Sequence, residues 1–155
     1  ASGFMQTQRL IDEGINVALG TDGSSSNNTL DMIEEMKLAS LIAKGSSLDP
    51  KVLSARTVIE MATINGAKAM GLEKSLGRLK KGYLADIILI DFENINHVPN
   101  NDLLASIVYS TQGNDVDTTI VDGNILMENK KIKNFDFQEL KSQVESSFKR
   151  LSDLR

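Results

Sequence analysis

The chain has 155 residues, 41% hydrophobic and 25% charged, a globular rather than disordered composition with enough apolar material for a real core. Its net charge of -4 is spread over mixed acidic and basic residues and only 5% are aromatic, so it lacks the basic stripe and stacking residues that a nucleic-acid partner needs. No apolar run reaches the ~18 residues of a membrane span, no basic start leads into an apolar stretch as in a signal peptide, and there is no cysteine. These features predict no nucleic-acid or membrane partner and a cytoplasmic location.

In the opening segment, ASGFMQTQRLIDEG, Leu10 and Ile11 follow polar positions as in the second half of an amphipathic helix that ends near Gly14. The start has no methionine, which suggests a piece of something longer. Ile15 to Leu19 is a short apolar run of strand length, and a helix on either side gives it the local grammar of a parallel sheet or barrel. The next helix is expected from about Asn28 or Thr29, with Asn28 capping it and Asp31 favouring the positive end of its dipole. Met32, Ile33, Met36, Ala39 and Ala43 form its apolar face and Gly45 its stop. A second helical stretch, Ser54 to Gly71, carries a break or recapping at Thr63 to Asn65.

From Leu76 the pattern turns to β structure: glycines at 77 and 82 around a polar turn, then the run Ile87 to Ile90. A short helix is expected over Asp102 to Ser110. After it come two or three strands with turns at Asp122-Gly123 and Glu128-Asn129. A closing helix from about Phe137 to Leu151 has Asp136 and Glu139 at capping-box spacing and an apolar face of Phe137, Leu140, Val144, Phe148 and Leu151. The lone run Ile15 to Leu19 cannot satisfy its backbone by itself, because parallel neighbours arrive through crossover helices that this chain does not hold. Its edges need partners from other sequence or another chain, and association between copies is one way to supply them.

Asp22, directly after that run, sits where barrel and open α/β enzymes build their sites. Read locally it has two interpretations: a functional carboxylate, or a plain Asp-Gly turn residue accepting amide protons from the SSSNN loop. Ser24 to Asn28 could face a ligand, although these are also the usual residues of helix starts. His97, the sole histidine, lies in NINHVPNN and reads as a hydrogen-bonded or solvated loop residue rather than a ligand or base. No histidine-rich metal centre can be built from this chain unaided. The methionines, including those at 32, 36, 61 and 70, read as core packing, and Asp86 as a turn anchor.

Two separated strings carry a resemblance. GINVALGTDGSSSNNTLDMIEEM resembles the last barrel-strand motif of the amidohydrolase superfamily, in particular its S-adenosylhomocysteine and 5'-methylthioadenosine deaminases, which are grouped with chlorohydrolases. MATINGAKAMGLEKSLGRLKKGYLADIILID is similar to the segment in which such proteins leave the barrel for a small β-sandwich, and VYSTQGNDVDTTIVDGNILMENKKI resembles that sandwich's closing strands. The resemblance implies an α/β fold: the C-terminal fragment of a (β/α)8 metal-dependent hydrolase barrel plus the C-terminal part of the sandwich. It divides the chain into residues 1-75 (barrel end), 76-133 (sandwich) and 134-155 (C-terminal helix). It further implies a divalent metal, usually zinc, and a purine nucleoside substrate deaminated by an activated water. Asp22 takes three roles in that scheme: metal ligand, catalytic proton shuttle and substrate contact. The family's histidines and acidic proton donor have no counterpart here, so the 155 residues alone are expected to bind no zinc tightly and to deaminate nothing. The alternatives are another amidohydrolase specificity, such as guanine, cytosine or chlorotriazine hydrolysis, and a non-catalytic fragment.

Overall fold

The computed structural model describes residues 3–153. Six helices and four strands follow one another as α1 (Thr7–Asp12), α2 (Met32–Ser47), α3 (Ala55–Ala62), α4 (Ile64–Ala69), β1 (Ile87–Ile90), α5 (Leu103–Ala105), β2 (Val116–Val121), β3 (Asn124–Glu128), β4 (Lys131–Ile132) and α6 (Phe137–Ser152). A π-helical turn, Ser106–Ser110, prolongs α5, and short 3-10 turns cover Ile95–His97 and Gly113–Asp115. The four strands form one antiparallel sheet in the order β1-β2-β3-β4. Between β1 and β2 the chain returns to the helical part through α5 and the π turn, which pack on α2 and α3.

The core lies among the helices. Val17, Ile33, Met36, Leu53, Val58, Met61 and Val108 are buried together, so α2 and α3 pack on each other and on the π turn. Period decides which residues go in: Ile33 and Met36 of α2, and Val58 and Met61 of α3, stand three apart and share a face. Met36 and Met61 pack as expected for core residues, but Met70, past the end of α4, is 64% exposed.

Ile15 to Leu19 belongs to no ladder, as expected of a run whose parallel neighbours this chain does not hold. A strand without neighbours must satisfy its backbone elsewhere. Here Asn65 does so: its side-chain amide donates to the Val17 carbonyl at 2.9 Å, while Asn16 donates back to the Asn65 carbonyl at 3.0 Å. The Leu19 amide adds a bond to the Met61 carbonyl at 3.0 Å. Asn65 follows Thr63, the residue that divides α3 from α4 at the expected break. The break therefore puts the asparagine where the orphan stretch needs it.

Helix α2 starts later than its sequence suggests. Asp31, not Asn28, is the cap, accepting from the amides of Ile33 at 2.8 Å and Glu34 at 3.3 Å. Its other end runs past Gly45 to Ser47, and Leu48, left-handed at φ 55°, ends it. The closing helix forms where the apolar period puts it, and Asp136 caps it through Gln138 and Glu139. Glu139 binds Gln143 instead of closing a capping box. None of its residues is buried. Among the described residues no helix is long and apolar enough to cross a membrane.

Candidate active site

Asp22 stands three residues beyond the apolar run and is exposed. Its backbone is left-handed at φ 59°, a region that costs an aspartate less than most residues but still needs support. Support comes from its own turn, where Oδ1 accepts the Gly23 amide at 2.7 Å. The Gly23 carbonyl then takes the amides of Ser26 and Asn27 at 2.9 and 3.0 Å. Among the described residues none donates to Oδ2. The turn interpretation of Asp22 thus describes one carboxylate oxygen, and the second remains available to a ligand.

The SSSNN loop is organised by one residue. Asn27 Oδ1 accepts from the Thr29 amide at 3.1 Å, the Leu30 amide at 3.2 Å and the Thr29 hydroxyl at 3.0 Å, while its Nδ2 donates to Glu35 at 2.6 Å. This folds the loop back onto the first turn of α2. Asp31 carries the loop further: besides its capping bonds, its Oδ2 accepts the Gly113 amide at 3.1 Å, across 82 residues of sequence. Neither the Asn27 hub nor the Asp31 bridge was foreseen. The Ser-Asn composition marked a helix start, but nothing local marks Gly113 as its partner.

His97 is placed differently from its loop context. It is 2% exposed, its ring lies 4.3 Å from that of Phe92, and its Nε2 is 3.5 Å from Asp115 Oδ2. Neither ring nitrogen makes a hydrogen bond among the described residues, so the solvated or hydrogen-bonded histidine is replaced by a buried one beside a carboxylate. Apolar packing on Phe92 outweighs the polar loop around it. Burial works to raise the pKa of Asp115, but the Gln112 amide, the Asn94 side chain and His97 together hold its carboxyl below the usual range. Asp86 behaves as the expected turn anchor, accepting the Asp122 amide at 2.7 Å.

Among the described residues no three histidine, cysteine, aspartate or glutamate side chains cluster to hold a metal. The open Oδ2 of Asp22 is an oxygen donor of the kind a divalent metal accepts, but one carboxylate alone does not make a metal site.

Helices packed around one core, together with a four-stranded antiparallel sheet, make this an α/β protein. The Amidohydrolase family pattern matches residues 1–126, and the chain belongs to that family. It is 48% identical over 150 residues to a 5-methylthioadenosine/S-adenosylhomocysteine deaminase of Acetivibrio thermocellus, covering 97% of this chain and 35% of that enzyme. It is 46% identical over 154 residues to a 5'-deoxyadenosine deaminase of Methanobrevibacter smithii, covering 99% and 35%. Among solved structures, an adenosine deaminase from Xanthomonas campestris with bound zinc superposes with a TM-score of 0.94 at 28% identity, over 98% of this chain and 35% of that one. An atrazine chlorohydrolase from Arthrobacter aurescens complexed with zinc gives 0.84 at 25%, over 93% and 32%. The chain spans about a third of the length of these relatives.

Proposed function

We propose that this chain is the C-terminal third of a zinc-dependent deaminase that converts S-adenosylhomocysteine or 5'-methylthioadenosine to the inosyl product and ammonia. In this reading residues 1–75 close a (β/α)8 barrel, 76–133 belong to a small β-sandwich and 134–155 form the C-terminal helix. The observation that carries the reading is the identity of 48% along 97% of the chain with an enzyme named for those two substrates. The chlorohydrolase alternative has weaker support, at 25% identity.

Asp22 is the residue through which the chain would act. Its Oδ2, which accepts no hydrogen bond among the described residues, would be the oxygen to hold the metal, while the bond from Gly23 to Oδ1 fixes the plane of the carboxylate. The zinc would supply an acidified water, with a pKa near 7. Asp22 would orient the attacking water, hold the proton that water gives up and pass it to the departing nitrogen. One water is consumed and one ammonia released. A carboxylate in contact with the attacking water also lies against the ring under attack, which is the basis of its substrate contact.

The test uses the full-length polypeptide containing this chain. It should release ammonia from both nucleosides and leave atrazine untouched, and Asp22→Asn should lower kcat by about a thousandfold or more with an unchanged circular dichroism spectrum. Near-normal turnover in the variant would sink the assignment of Asp22. Chloride release from atrazine without ammonia release from nucleosides would replace the substrate class.

A further inference from the structure

The loop between Asp22 and α2 is held in a conformation it would not adopt alone. Left-handed backbone occurs at both of its ends, φ 59° at Asp22 and 49° at Leu30, and at neither end is the residue glycine. Leucine in particular pays for that geometry, so the surrounding structure must enforce it. Leu30 immediately precedes Asp31, whose carboxylate divides its two oxygens between two duties. Oδ1 caps α2 through Ile33 and Glu34, and Oδ2 receives the Gly113 amide at 3.1 Å from the turn that leads into β2. The approach is close enough that a Cβ on Gly113 would collide with the Asp31 carboxylate, although the Gly113 backbone itself does not require glycine. The fit between these two residues therefore explains the glycine.

We infer that Asp31 is a positioning residue. Latched onto Gly113, it fixes the far end of the loop that begins at Asp22 and so holds the Asp22 carboxylate in place for the reaction. The functional half of this inference rests on the deaminase reading above. The physical half does not: the loop ends at the N-terminus of α2, and the latch is the hydrogen bond that ties that end to the turn at the entry of β2. Displacement of a metal-binding carboxylate by a fraction of an ångström costs turnover rather than substrate affinity.

Two variants separate the latch from the cap. Asp31→Asn keeps an oxygen to cap α2 but offers Gly113 no second acceptor, and Gly113→Ala leaves Asp31 intact but drives it away. In the full-length polypeptide, both should speed hydrogen exchange at the amides of Ser26, Asn27, Thr29 and Leu30 by roughly tenfold, and in Asp31→Asn, which keeps the cap, the first-turn amides of α2 should stay unchanged. Both should lower kcat by roughly tenfold to a hundredfold at nearly constant KM. The double variant should be no worse than the more damaged single one, as expected for partners in one contact. Wild-type loop exchange in both variants would overturn the latch, as would equal acceleration in the loop and in α2 of Asp31→Asn, which indicates only a weakened cap. Altered loop exchange with wild-type kcat would overturn the positioning role. If the unsubstituted polypeptide deaminates nothing while the loop amides respond as expected, the deaminase reading fails and the latch stands.

Discussion

Asp115 has its charge stabilised by neighbours that exist only in the fold. The Gln112 amide donates to Oδ2 at 2.9 Å and Asn94 to Oδ1 at 3.2 Å, and with His97 they outweigh the cost of burial, so its pKa is lowered. A carboxyl more acidic folded than unfolded stabilises fully above its unfolded pKa, about 3.9, and loses that contribution as pH falls through the lower folded value. The melting temperature should accordingly fall on acidification below about pH 4. Asp115→Asn should flatten that limb of the profile while lowering the melting temperature at neutral pH; an unchanged acid limb would remove Asp115 as its source. A second buried group looks chemical but is architectural. Ser40 Oγ accepts from Lys44 at 2.9 Å, lies 2.7 Å from Tyr109 Oη and donates to the Leu53 carbonyl at 2.8 Å. This is the residue set of a nucleophile with its base, yet Ser40 is 0% exposed and no substrate can meet it. Its network pins the Leu53 turn between α2 and the π turn.

Among the elements, the turn after α4 shows what a glycine can be required for. Gly77 is left-handed at φ 83°, and a Cβ there would stand 3.0 Å from both the Ala67 Cβ and the Thr63 carbonyl oxygen. Those are the parts of α3 and α4 around their break, so the turn lies directly on the helical junction. Gly77→Ala combines backbone strain with overpacking and should cost about 2–4 kcal/mol, read as a fall in the urea midpoint. A midpoint within error of wild type would show that the junction yields. The sequence marked this glycine as structural from its turn context, and the helix break at Thr63, the strand at Ile87 and the hairpin turn at Asp122-Gly123 were equally legible, because each depends on local chemistry. What periodicity and turn residues could not convey is contact at long range. The Asp31 bond to Gly113, the Asn65 bonds to the orphan run and the burial of His97 join residues far apart in sequence or override a polar context. At the site the same division holds: Asp22 stood out by position, while the hub at Asn27 that shapes its loop did not.

At the scale of the whole molecule, the accessible surface is 11358 Å² for 16.9 kDa. A compact monomer of that mass exposes about 7,700 Å². The excess lies partly in apolar groups that a self-sufficient domain would cover. Leu38, Leu41 and Ile42 are between 42% and 47% exposed along α2, and on α6 Leu140, Val144, Phe148 and Leu151 form an apolar stripe with Phe148 73% exposed. Patches of this extent attract partners or copies of the same chain. The 155-residue chain expressed alone should therefore bind the apolar dye ANS and sediment with a mass that rises with concentration in the micromolar range. Replacing Phe148 and Leu41 by glutamate should lower both signals, since a charge on each face raises the cost of burying it. If the chain alone sediments as a monomer at every concentration and leaves the dye dark, these faces close on one another in solution and the need for a covering partner disappears.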